Sequence, residues 1–155
     1  MGVTRYVNFD LLLNRLHVHS KDCVLERFVR DLAPLCALDK GVMRDVCYKR
    51  FEDNGISAEK GVAIFDVTSR FVKKPLSALI TFERGIAMEA LDNKAVDVFV
   101  GLVSPGNNVP SHLQRLSAVA RLFRSPDLLK ALRDARGVDD MKVLFMPTQE
   151  WMIAA

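Results

Sequence analysis

Cysteine is scarce in this chain and leaves one unpaired. Its 155 residues contain three, Cys23, Cys36 and Cys47. The number is odd and no Cys-x-x-Cys occurs, which excludes a disulfide scaffold and the usual zinc spacings. All three fall in segments with helical apolar spacing, so they are expected to be small core hydrophobes in a reducing compartment. Long apolar runs are missing too. The most apolar segment, Ala95 to Val103, is broken by Asp97 and is too short to span a bilayer. Arg5, Asn8 and Asp10 ahead of the short Leu11-Leu12-Leu13 run make a poor signal peptide. The expected location is the cytoplasm, without membrane insertion. No run of like charge appears either. The net charge is +3, and bases lie among acids, as in Lys21-Asp22, Glu26-Arg27 and Arg133-Asp134. A nucleic-acid footprint needs a clustered basic patch, so nucleic acid is not an expected partner. Internal repeats, low-complexity tracts, a Walker loop, a Gly-x-Gly-x-x-Gly and a Ser-His-Asp order are all absent.

What remains is an ordinary globular composition, 50% apolar and 26% charged, at a length that suits one domain over 1–155. Leu16-His17-Val18-His19 alternates apolar and polar residues and predicts a short strand, with the two histidines on opposite faces. Ser20 then caps a helix whose inner stripe is Val24, Leu25, Phe28, Val29 and Leu32. Pro34 is expected to end or kink it. A second helix is predicted over 40–53, with Val42, Met43, Val46 and Cys47 inward, stopped by Asn54-Gly55. The middle changes to strand chemistry: Val62-Ala63-Ile64, then 76–82, then 95–103. The last is nearly continuous in apolar residues, as in a strand covered on both faces.

After the break at Ser104-Pro105-Gly106-Asn107-Asn108, a helix is predicted over 110–124, burying Leu113, Leu116, Val119, Ala120 and Phe123. Ser125-Pro126-Asp127 starts another, which Gly137 should terminate. A short last helix is predicted over 139–145. The segment 146–155, with Trp151, receives no assignment. Strands in the middle flanked by helices predict a three-layer α/β/α sandwich around a mixed sheet of four to five strands.

Gly61-Val62-Ala63-Ile64-Phe65-Asp66-Val67 carries the most specific signal. It resembles the phosphoryl-accepting segment of the enzyme IIA domains of the bacterial phosphoenolpyruvate-dependent sugar phosphotransferase system, mannitol/fructose class. That family's pattern is Gly-(Ile/Val)-Ala-(Ile/Val)-Pro-His-Gly, and here Phe65-Asp66-Val67 stands where it has Pro-His-Gly. The likeness extends over 10–145 through Arg50, the 85–97 segment with Asp92-Asn93 and Val96-Asp97, Gly101-Leu102-Val103-Ser104-Pro105, and Ser111-His112-Leu113-Gln114-Arg115-Leu116-Ser117. Among the branches, the nitrogen-regulatory one is most similar.

The resemblance implies a site made of Asp66 at the position of the phosphorylated histidine, Arg50 as the phosphate-steadying arginine and His112 as the second histidine. Taken singly, Arg50 reads as a solvated charge at a helix end, and His112 as a surface or capping residue. His112 nevertheless falls in the first turn of a predicted helix, where free N–H groups and the dipole favour anions. Aspartate at position 66 implies a regulatory interaction module that no longer carries phosphate on the usual histidine. The alternatives are a working phosphocarrier using Asp66 or another histidine, with His17 and His19 as the candidates, and a small-anion-binding module. No metal or other cofactor is implied. The implied partners are the phosphocarrier HPr or its nitrogen-branch counterpart, and a sensor kinase or potassium-transport regulator.

Overall fold

A computed structural model describes residues 7–146 of the chain; residues 147–155, Trp151 among them, lie outside the described ones. The described elements are β1 (Leu11–Leu16), α1 (Lys21–Cys36), α2 (Lys40–Glu52), β2 (Ile56–Glu59), β3 (Val62–Ser69), β4 (Leu76–Ile86), β5 (Val96–Pro105), α3 (Val109–Leu122), α4 (Pro126–Asp134) and α5 (Val138–Leu144). The strands form one mixed sheet in the order β1-β4-β5-β3-β2. β1 runs parallel to β4 and β3 parallel to β5, while β4–β5 and β2–β3 are antiparallel.

Alternation along the central strands builds the two faces. On β5, Phe99 and Val103 point to one side with Ala63, Phe65 and Val67 of β3, where Phe28, Leu25 and Leu32 of α1 and Met43 and Cys47 of α2 cover them. Val98, Val100 and Leu102 point to the other side, against Val119 and Leu122 of α3, Leu128 and Leu132 of α4 and Met141 of α5. The result is the three-layer α/β/α arrangement that the sequence predicts. Phe28, Phe65 and Phe99 meet at 5.7–6.4 Å between ring centroids. Gly101 makes room for them, since a Cβ there would run into the Phe28 ring.

Several boundaries differ from expectation for local reasons. The first strand lies earlier than expected, and His17 and His19 follow it as exposed loop residues, so strand alternation does not govern them. β2 escaped prediction because its four residues carry too short a pattern; it joins β3 through Lys60 (φ 54°) and Gly61 (φ 81°), the positive-φ pair of a tight hairpin. Pro34 sits in the last turn of α1, which continues to Cys36. Gly137 does not end α4 but precedes α5 as its N-cap residue. Leu113, expected inside, is 53% exposed. Of the cysteines only Cys47 is fully buried; Cys36 is partly buried and Cys23 exposed, because Cys23 lies outside the stripe formed by Val24, Leu25 and Phe28.

Candidate functional site

Asp66 is the fifth residue of β3 and shares the face of Val62 and Ile64, toward the α3 side of the sheet. It lies near the carboxyl end of the parallel β3–β5 pair, where Asp66 aligns with Leu102. Open α/β sheets place their binding crevices outside such strand ends. α3 begins just beyond β5, capped by the Asn108 side chain, which accepts from the Ser111 amide at 3.1 Å. That cap and the first turn aim His112 back over the strand ends. Arg50 belongs to the last turn of α2, where a cation also suits the negative end of the helix dipole.

These three residues meet. The His112 Nε2–H donates to Asp66 Oδ2 at 2.8 Å. Arg50 Nη2 donates to Asp66 Oδ1 at 3.3 Å, and its Nε donates to the Asp66 carbonyl at 2.9 Å. One carboxylate therefore accepts from both basic companions. His112 is buried, Asp66 largely so, and the Arg50 side chain is 40% exposed. His112 is thus neither the surface nor the capping residue that it resembles when read alone.

Four residues to which the sequence assigns no part in the site hold this arrangement. Ser104 Oγ lies 2.7 Å from His112 Nδ1. Arg115 donates from Nη1 to the same Oγ at 2.5 Å. A carboxylate only accepts, so Nε2 carries a proton toward Asp66. Ser104 Oγ, accepting from Arg115, thus links that guanidinium to His112 Nδ1, and one connected path of hydrogen bonds joins Arg115, Ser104, His112 and Asp66. Gly55 supplies clearance: its N–H donates to the Arg50 carbonyl at 2.9 Å, and a Cβ would meet Arg50 Cγ and O at 2.7 Å. Phe65, beside Asp66, is wholly buried and anchors this part of β3 in the aromatic cluster. All four lie in segments that the sequence singles out, but their contributions to the site became legible only once β5 and α3 were placed beside β3.

The site opens into a cleft of about 470 Å³ whose lining includes Lys49, Arg50, Asp66, Thr68, Val109 and His112. Val109 is half exposed at its rim, and Phe71 and Leu113 are exposed elsewhere on the molecule. Among the described residues, no three His, Cys, Asp or Glu side chains come together as a metal site, and no helix is long and apolar enough to cross a membrane. Chemically, the arrangement is a cationic and hydrogen-bonding cradle already filled by the chain's own carboxylate.

A three-layer domain with an anion-receiving pair at its parallel strand ends defines the class. The profile of the family described as "Phosphoenolpyruvate-dependent sugar phosphotransferase system, EIIA 2" matches residues 6–145. The chain belongs to that family. It is 28% identical over 148 residues to a nitrogen regulatory protein of Bradyrhizobium diazoefficiens, covering 95% of this chain and 97% of that one. It is 24% identical over 150 residues to the nitrogen regulatory protein of Escherichia coli K12, covering 96% and 92%. Its fold is similar to that of the nitrogen regulatory protein IIA-Ntr of Neisseria meningitidis, with a TM-score of 0.81, 21% identity and 87% and 92% coverage. It is also similar to the mannitol enzyme IIA of Escherichia coli solved with phosphorylated enzyme IIB, with a TM-score of 0.73, 12% identity and 96% and 98% coverage.

Proposed function

We propose that this protein is a regulatory enzyme IIA homologue of the nitrogen type, which binds partners through the face around Asp66 and does not carry phosphate there. The observation that carries this reading is the double engagement of the Asp66 carboxylate by Arg50 and His112. In the resembling family these positions serve a phosphohistidine. Here a fixed anion takes the place of the transferred group. The likeness is partial in charge, because a phosphoryl group brings about −1.5 to −2 charges and three acceptor oxygens, against one charge and two oxygens. The chain thereby holds a permanent, weaker counterpart of a phosphorylated state. The names of its relatives support a regulatory role. The proposed partners are HPr or its nitrogen-branch counterpart, and a sensor kinase or potassium-transport regulator, docking over the cleft with Val109 at its rim.

The rival reading is phosphoryl transfer to Asp66 itself, whose two carboxylate oxygens each accept one hydrogen bond here. Incubation with phosphoenolpyruvate, the first enzyme of the phosphotransferase system and the carrier separates the two. The expected result is no stable phosphorylated product on the wild-type chain and an acid-labile, base-stable product on Asp66→His. A base-labile product on the wild type, lost in Asp66→Asn, would establish an acyl phosphate and overturn the proposal. An acid-labile product on the wild type would do the same in favour of a displaced histidine.

A further inference from the structure

Behind the Asp66 cleft, on the other side of the first turns of α3, lies a second cleft of about 320 Å³. Its lining joins apolar Val7, Leu102, Ala118 and Val119 with polar groups that include Asn8, Gln114 and Arg115. Arg115 is the unusual member. Burial disfavours its charged form, an effect partly offset by the more distant Asp10 carboxylate. Its hydrogen bonds go to neutral acceptors: Nη1 to Ser104 Oγ and the Val103 carbonyl, Nη2 to the Leu76 carbonyl. Among the described residues no carboxylate pairs with it directly. A half-buried cation without a counter-ion is costly and favours an anion that can reach it. Nε–H and the second Nη2–H remain, the edge with which a guanidinium grips a carboxylate side-on.

We propose that this cleft binds a small monocarboxylate with an apolar tail, its head on Arg115 and its tail against Leu102, Ala118 and Val119. A single cation beside an apolar lining matches a monoanion of this shape better than a phosphate dianion. The same guanidinium holds Ser104 Oγ, and Ser104 holds His112. A carboxylate on the Nε and Nη2 edge of Arg115 shifts the guanidinium whose Nη1 steadies Ser104, and the change passes to the His112–Asp66 bond. The binding site stands independently of what Asp66 does; only the regulatory meaning of the coupling rests on the function proposed above.

Titration of the full chain with hexanoate, followed by amide and imidazole NMR, tests this, with hexan-1-ol and inorganic phosphate as probes of tail and charge alone. Saturable binding is expected, with shifts at Arg115, Ala118 and the His112 ring. Arg115→Met should weaken it by about tenfold or more, the loss of a bidentate charged pair. Ala118→Leu, which keeps the arginine and fills the apolar lining, should weaken it comparably. Ser104→Ala should bind hexanoate but lose the His112 shift. Absence of saturable binding, equal binding of hexan-1-ol or phosphate, or indifference to both Arg115→Met and Ala118→Leu overturns the site. A His112 shift that survives Ser104→Ala overturns the coupling. None of these readings uses phosphorylation, so they fail or succeed separately from the Asp66→His experiment.

Discussion

At residue 66 a single carboxylate satisfies two cationic or donor side chains and is satisfied by them. Removing it leaves His112 Nε2 buried without its acceptor and Arg50 without its nearest charge. The Arg50 part counts for little because that side chain is substantially solvated. Asp66→Ala is therefore expected to cost about 1–3 kcal/mol, mostly from the stranded buried donor, measured by chemical denaturation. A null effect would mean that the carboxylate is incidental. Cys47 gives a pH prediction. Burial pushes its thiol up from 9.0 to about 12, and burial likewise pushes Cys36 up to about 11. A group with a raised folded-state pKa supplies stability that is complete below its unfolded value and is lost as pH climbs toward the folded one. The wild type should thus lose stability from about pH 9 upward, and Cys47→Ala should lose it less steeply, with Cys36 still contributing.

Among the elements, α1 and β5 are fitted to one another through Phe28 and Gly101. Any side chain at 101 meets that ring, and the overpacked core has to move. Gly101→Ala is expected to destabilise by about 1–3 kcal/mol, read as a lowered denaturation midpoint. α3 shows why helical periodicity misplaced two residues. The pattern through Leu113, Leu116, Val119 and Phe123 is consistent along most of the helix, but the first turn overhangs the strand ends rather than the sheet. There His112 turns inward and Leu113 outward. The same overhang leaves Val109 at the rim of the Asp66 cleft. Val109→Asp should leave stability within about 0.5 kcal/mol of wild type, as exposed substitutions generally do. It should also abolish carrier binding in a direct binding assay if partners dock over this face.

For the molecule as a whole, the question is whether the phosphotransfer site can be rebuilt. The full family tripeptide, through Phe65→Pro, Asp66→His and Val67→Gly, conflicts with the core. Phe65 is wholly buried between Phe28 and Phe99, and removing a buried aromatic ring costs about 3–5 kcal/mol. A proline there also has no N–H to give to either flanking strand. The triple variant is expected to unfold at markedly lower denaturant than Asp66→His alone, while only the single variant remains folded enough to accept a phosphoryl group. Equal stability of the two would show that Phe65 is not the anchor described here.

The sequence by itself determined the layers, most helices and the three central strands, and the family motif pointed to the trio Asp66, Arg50 and His112. Apolar periodicity records which face an element buries, and a family motif records spacing. It did not contain β2, the inward turn of His112 or the contributions of Ser104, Arg115 and Gly55. Those depend on strand order and on where α3 crosses the ends of β3 and β5. Residue 66 lies far along the chain from 104, 112 and 115, and only the tertiary structure aligns their donors and acceptors into one connected path.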